Sequence, residues 1–206
     1  MKLYYAPGAC SLASHIVARE AGIDIALEKV DTRTKRTATD RDFMAINPKG
    51  YVPALELADG EVLTEGAAIL QYLADSKPDV RLAPAHGTLA RSRLHEALSY
   101  VSSELHKSYT PLFNPATPED VREERKAYLR KRYSLVDQVL ADQPFLLGAD
   151  FSVADAYLFT VTQWAGYVSL DLSEFEALDA FQARIRSRPA VQAALQAEGL
   201  MPAKAA

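Results

Sequence analysis

The sequence predicts a small α/β domain followed by a larger all-helical domain. Over residues 1–80, short apolar runs of strand length alternate with segments of helix length. Over residues 88–206 strand patterns disappear and leucines recur at helical spacing. Between the two, Pro78, Pro84 and Gly87 punctuate a stretch with the character of a linker.

Within the first domain, Lys2 to Tyr5 reads as a strand that exits through Pro7 and Gly8. Ser11 stands where a helix cap is expected, and Gly22 where that helix, running to about Ala21, stops. Ile25 to Val30 forms a second strand. A polar loop with Arg33, Lys35 and Arg36 leads to a short helix around Phe43, ending before Asn47-Pro48. Val52 to Leu57 and Glu61 to Leu63 flank Asp59-Gly60, a pair that favours a tight hairpin. Thr64 is the expected cap of the next helix, with Ile69, Leu70 and Leu73 on its inner face. This order builds one sheet covered by helices.

In the second domain, Leu94, Leu98, Val101, Leu105 and Leu112 predict one long helix with a buried stripe. Another long helix spans about Pro118 to Ala141, and its Arg130-Lys131-Arg132 run reads as a solvated face. Ser152 and Asp155 have the spacing of a capping box, with Asp in place of the usual Glu. Pro189, after Arg188, fits the first turn of a final helix, where a missing N–H costs no hydrogen bond.

The chain has 206 residues, 49% of them hydrophobic and 24% charged, a composition that folds rather than stays disordered. A net charge of -4 argues against a general nucleic-acid binder, which needs basic surface to neutralise phosphates. The one cysteine, Cys10, precludes an intrachain disulfide and a zinc cage of several cysteines. No apolar run approaches the ~18 residues that cross a bilayer. Met1 to Pro7 lacks the charged start and long apolar core of a secretory signal. The expectation is a cytoplasmic protein without membrane, nucleic-acid or metal partners.

Four features could carry chemistry. Cys10 lies between a strand's exit turn and a helix start, where free N–H groups and the positive dipole end favour a thiolate. The bland alternative is a small buried hydrophobe. Val52-Pro53 precedes a strand; a cis bond there would leave Val52's backbone groups open to an added peptide strand. Thr64-Glu65-Gly66 opens a helix, where N–H groups suit a carboxylate and Glu65 an ammonium, the two charges of an α-amino acid head. Glu65 is equally a routine acid of a first turn. Finally, His95, Ser99, Ser102 and His106 advance by four, three and four residues, so in a regular α-helix they share a face. That face is either solvated or functional.

Together these stretches resemble the bacterial beta-class glutathione transferases over essentially the whole chain. The resemblance rests on Lys2-Leu3-Tyr4-Tyr5 with Gly8-Ala9-Cys10-Ser11, and on Asn47-Pro48-Lys49-Gly50-Tyr51-Val52-Pro53. Leu63-Thr64-Glu65, Glu104-Leu105-His106-Lys107 and Leu147-Gly148 with Phe151-Ser152-Val153-Ala154-Asp155 extend it. It implies a thioredoxin-like first domain over 1–80, a helical second domain over 88–206, and a homodimer. It implies glutathione as substrate rather than cofactor.

By the same resemblance, Cys10 faces the glutathione sulfur, with Tyr5 nearby, and Lys35 meets the glycine carboxylate. Val52, before a cis Pro53, pairs with the peptide backbone, and Glu65 and Gly66 hold the γ-glutamyl head. Ser99 and the run Ser103, Glu104, Leu105 and His106 contribute from the helical domain, Ser99 reaching the partner subunit's site. Gly66 replaces the usual Ser or Ala, and Ser99 the expected Asn, so both depart from the family pattern at the γ-glutamyl end. Tyr109, Phe113 and Trp164 are candidate walls for an electrophile pocket between the domains.

The activity implied is conjugation of glutathione to a small apolar electrophile, with His106 orienting or deprotonating at the sulfur. One rival is a glutathione-dependent thiol–disulfide reductase or reductive dehalogenase, with Cys10 forming a covalent mixed disulfide. The other is a binding protein on the same fold that has lost its chemistry.

Overall fold

The computed structural model describes residues 1–201. It divides into two units, one of Met1–Ala83 with the segment from Ser187 onward, the other of Pro84–Arg186.

The first unit is built on one five-stranded sheet in the order β3-β2-β1-β4-β5. The strands are β1 Lys2–Tyr5, β2 Ala26–Asp31, β3 Arg36–Thr37, β4 Ala54–Glu56 and β5 Val62–Thr64. β1 and β2 run parallel, joined by helix α1 (Ser11–Glu20), and the other neighbours are antiparallel. The Asp59-Gly60 hairpin forms as the sequence predicts, with Gly60 at φ +89°. β3 was not expected. It pairs two residues of the polar loop with the end of β2, too short to show alternation.

Helix α1 ends as its glycine dictates. Gly22 adopts φ +63°, and the N–H groups of Gly22 and Ile23 return to the carbonyls of Arg19 and Ala18. Its start differs from expectation: Cys10, not Ser11, is the capping position, and no side chain caps the helix. Ser11's hydroxyl instead donates to the Ala6 carbonyl and accepts from the Ala6 N–H, both at 3.2 Å, clasping the turn out of β1. α2 (Phe43–Ile46) does carry a cap, Asp42, whose carboxylate accepts from Met44 N–H. In α3 (Gly66–Asp75), Glu65 holds the capping position and Thr64 belongs to β5, so the Thr64 cap does not form. Ile69, Leu70 and Leu73 are buried as their spacing requires.

Glu28 on β2 is 6% exposed and carries an ionic network. Lys2 Nζ donates to it at 2.9 Å, and the Thr39 hydroxyl donates to its other oxygen. Burial alone would raise its carboxyl, but hydrogen bonds from Thr39, Lys2 and Thr37 win and hold it at about 2.

α10 (Pro189–Ala197) packs on α1, although the sequence placed it with the helical domain. Arg188 forks onto Glu20 at 2.6 and 2.9 Å. Beyond α10, Glu198 accepts from Gly8 N–H at 3.0 Å and lies 3.0 Å from His15 Nδ1, both side chains fully buried.

The second unit is all helical: α4 Leu89–Tyr100, α5 Thr110–Phe113, α6 Glu119–Asp142, α7 Val153–Thr162, α8 Trp164–Tyr167 and α9 Glu176–Arg186. Leu94, Leu98, Val101, Leu105 and Leu112 are all buried, as their stripe predicts. The helix carrying them is not uniform. After α4 it passes through a π-helical stretch, Val101–His106, and a 3₁₀ turn, Lys107–Tyr109, before α5. His95 and Ser99 are exposed and Ser102 and His106 half-buried, and the π-helical stretch departs from the α-helical spacing on which their shared face rests. The basic run on α6 is paired: Arg130 with Glu174 at 2.6 Å and Arg132 with Glu104 at 2.8 Å. The capping box of α7 forms, and Asp155 accepts from Leu146 N–H, Ser152 N–H and Ser152 Oγ, each at 2.8 Å.

Candidate functional site

In the first unit the site gathers around Cys10. β1 hands the chain to α1 through a turn held by Ser11 and by the bond from Ala9 N–H to the Ala6 carbonyl. Gly8, at φ +70°, donates its N–H to Glu198 and so tethers this turn from below. Cys10 is half-buried, and its Sγ donates to the Val52 carbonyl oxygen at 3.1 Å. Burial pushes the thiol up to about 12, against the smaller opposing pull of the Cys10 and Ser11 N–H groups, and Glu65's charge raises it further. The expected thiolate is therefore a neutral thiol. Helix-start N–H groups are present, but apolar surroundings outweigh them: Ala9 and Val52 both border a core of Tyr4, Val30, Phe43 and Ala54.

Val52-Pro53 is cis, and β4 begins only at Ala54, so Val52's N–H lies outside the ladder at the edge beside Cys10. Two lysines lie nearby, Lys35 in the turn between β2 and β3 and Lys49 on the loop between α2 and β4. Lys35, itself at φ +58°, donates Nζ to the Gly50 carbonyl at 2.8 Å and sits over the Tyr51 ring. Lys49 Nζ reaches Thr64 Oγ1 at 3.0 Å and Glu65 Oε1 at 2.5 Å. Glu65 occupies φ +69°, a left-handed conformation costly for a residue with a Cβ, which turns its carboxylate outward at the start of α3. Gly66 follows in ordinary helical backbone; a Cβ there would meet only Pro53 Cγ, at 3.9 Å.

Tyr5 packs its ring 6.5 Å from His15, and burial together with Glu198's charge raises its phenol. The structure thus joins Cys10, Val52, Pro53, Glu65 and Gly66 into one neighbourhood, while Tyr5's recorded contact is with the His15–Glu198 pair. Lys49 also stands beside Glu65, a neighbour not expected from the sequence. It stood inside the motif, but only the tertiary pairing of Lys49 with Thr64 and Glu65 singles it out.

In the second unit His106 is held by aromatic partners. Its Nδ1 lies 2.6 Å from the Tyr157 hydroxyl, and its ring meets the Trp164 indole edge-on at 4.8 Å. Tyr157 was not foreseen, because it sits on α7, 51 residues away in sequence. Tyr109 and Leu105 are fully buried, so their side chains are core rather than walls of an open pocket. The Tyr109 hydroxyl pairs with that of Tyr133 at 2.9 Å, and burial raises both phenols. Phe113 is half-exposed and stacks on Tyr109, and both meet Trp164 at 5.6 Å. Glu104 is taken by Tyr128 Oη at 2.6 Å and by Arg132. Ser99 is exposed, and its carbonyl accepts from Ser103 Oγ at 2.9 Å.

A cavity of about 690 Å³ opens elsewhere on this unit, between α4 and α6, with Leu89, Ala97, Tyr100, Leu135, Val136 and Val139 on its walls. Among the described residues, no group of three or more His, Cys, Asp or Glu side chains is placed to hold a metal ion. No helix among them is long and apolar enough to cross a membrane.

Comparison with known proteins places these residues in context. Residues 8–76 match the family described as "Glutathione S-transferase, N-terminal domain", and residues 100–189 match "Glutathione S-transferase, C-terminal domain". The chain is 51% identical to "Glutathione S-transferase GstA" of Escherichia coli O157:H7, over 97% of this chain and all of that protein. A sphingomonad glutathione S-transferase solved in complex with glutathione is 46% identical, with a TM-score of 0.94 over 98% of this chain and 100% of that one. The bacterial beta-class glutathione S-transferase of Sphingomonas chungbukensis is 46% identical, with a TM-score of 0.95 over the same shares.

Proposed function

Because the chain belongs to the glutathione S-transferase family, and within it to the bacterial beta class, we propose that it conjugates glutathione to small, apolar electrophiles. The arrangement that supports this best is the Cys10 thiol set against the open backbone edge of Val52, with Glu65 within electrostatic reach. A γ-glutamyl tripeptide lying extended along that edge brings its own sulfur to Cys10. Val52 pairs with its backbone, Glu65 and Gly66 receive its amino-acid head, and Lys35 its glycine carboxylate.

In this reading the substrate's sulfur is the nucleophile. The glutathione S–H passes its proton to His106, the sulfur pair bonds to the electrophilic carbon, and the leaving group departs with the old bond's electrons. Turned from the Val52 carbonyl, the neutral Cys10 S–H can donate instead to the glutathione sulfur, which favours thiolate over thiol there. The proton-handling role assigned to His106 is supported by the Tyr157 hydroxyl on Nδ1, which fixes the ring's orientation. Glutathione is consumed as a substrate, so no resident cofactor is invoked. The neutral thiol also weighs against the reductase reading, in which Cys10 must itself attack as thiolate.

The finer reading includes a homodimer, supported by the apolar cavity between α4 and α6 and by the exposed Leu89, Leu135 and Val139 beside it. Ser99, on the same helix as that wall, is then placed to reach the partner subunit's site. A free cysteine working beside a reduced thiol fits the reducing cytoplasm. The biological role that follows is detoxification, the clearing of reactive apolar molecules. The decisive assay runs a panel of haloaromatics, epoxides and disulfides with glutathione. Turnover on the carbon electrophiles supports the reading, and turnover confined to disulfides overturns it.

A further inference from the structure

We propose that Lys49 is a glutathione-binding residue, forming with Glu65 a two-point clamp that receives the zwitterionic α-amino acid head of the γ-glutamyl group. The proposal rests on the glutathione reading above and adds a residue to that site.

Three observations carry it. Lys49 Nζ and Glu65 Oε1 are 2.5 Å apart, so an ammonium and a carboxylate stand side by side at the start of α3. Both side chains are largely exposed, 52% and 70%, which leaves both charged ends open to a ligand. Thr64 Oγ1 accepts from the same Lys49 nitrogen at 3.0 Å, so the lysine is aimed at this spot rather than swinging in solvent.

An α-amino acid head carries its ammonium and carboxylate on one carbon, a few ångströms apart. Laid against the Lys49–Glu65 pair in the opposite order, it puts its carboxylate on Lys49 and its ammonium on Glu65. Each of the four charges then touches only opposite charges. Neither protein group has to be stripped of its partner, because the ligand closes the square instead of breaking the pair. An exposed ion pair contributes little on its own, so the small adjustment that admits the ligand is cheap. Gly66 sharpens the case: no side-chain hydroxyl at that position competes with Lys49 for the α-carboxylate.

The proposal separates from a simple alternative, in which Lys49 only blocks Glu65 and competes with the ligand's ammonium. Calorimetry with two probes distinguishes them: glutathione, and γ-aminobutyryl-cysteinylglycine, which keeps the amine and lacks the α-carboxylate. Lys49→Met, at an exposed position, should weaken glutathione binding about fivefold to tenfold and leave the analogue within about twofold. Lys49→Arg should restore most of the glutathione affinity. Equal losses for both probes, or tighter binding of both by Lys49→Met, overturn the clamp while leaving the glutathione reading intact. Failure of the unsubstituted protein to bind glutathione overturns that reading, and the clamp with it.

Discussion

The Cys10 thiol donates to the carbonyl oxygen of Val52 across 3.1 Å, which joins the start of α1 to the residue before the cis proline. The contact fixes the sulfur's position, and desolvation at that spot holds the thiol up at about 12. The first two expectations follow from it.

At pH 7 to 8 the free protein's Cys10 should react slowly with iodoacetamide, and the rate should climb with pH without levelling off by pH 9. A plateau below pH 8 would show a stabilised thiolate instead. Cys10→Ser keeps a hydrogen-bond donor and removes the nucleophile. It should retain much of the conjugating activity and lose any disulfide reduction. Conjugation abolished with glutathione still bound would make covalent chemistry at Cys10 central.

Gly66→Ser should tighten glutathione binding. The new Cβ meets only Pro53 Cγ at 3.9 Å in backbone that any residue adopts, so the hydroxyl is gained without a clash. One added hydrogen bond of about 1 kcal/mol corresponds to about fivefold in Kd by calorimetry. Unchanged or weaker binding would show that the site needs glycine for another reason.

His106→Ala should lower kcat by about tenfold or more while the glutathione Kd moves less than about threefold. Tyr157→Phe, which removes only the hydroxyl on Nδ1, should give a smaller fall in kcat in the same direction. A pure affinity loss with full turnover would reduce His106 to a positioning role.

Glu28→Gln tests the ionic network under the sheet. The folded-state carboxyl, at about 2, lies below its ordinary 4.5, so the folded chain binds fewer protons between those values. Its stabilisation is complete above pH 4.5 and is lost as pH falls through 2. Denaturant titration should find the variant less stable by about 1–3 kcal/mol at pH 7, with the gap closing on acidification. A gap independent of pH from 7 to 3 would contradict this account.

Val139→Glu places a charge on the wall of the α4–α6 cavity, at a position 43% exposed. If two copies bury this face, sedimentation at micromolar concentration should shift from dimer towards a monomer of 22.6 kDa. An unsubstituted protein that sediments only as monomer would exclude the dimer outright.

The features legible in the sequence were those written in local chemistry. Gly22, Asp59-Gly60, the Ser152–Asp155 box and Pro189 each act within a few residues, so the chain announces them. β3 went unread because two residues cannot show a period. The π turn at Val101–His106 hid because the buried stripe of Leu94, Leu98, Val101, Leu105 and Leu112 runs through it unbroken. Cys10's neutrality depends on burial in the folded chain, beside a Val52 that lies 42 positions away, which no spacing encodes. The roles of Lys49 and Tyr157 likewise rest on contacts that only the folded chain makes.

The buried pairing of His15 with Glu198 reaches across 183 positions, and Glu198 also holds the Gly8 N–H on the turn that leads to Cys10. During synthesis, the turn of the amino-terminal sheet must therefore wait for Glu198, 183 positions beyond His15, to leave the ribosome before it is anchored. Domains that close on local contacts can fold while still being translated, but this one cannot finish early. A stalled or truncated nascent chain ending before Glu198 would present the cysteine turn without its tether, exposing the α1 face to chaperones and proteases.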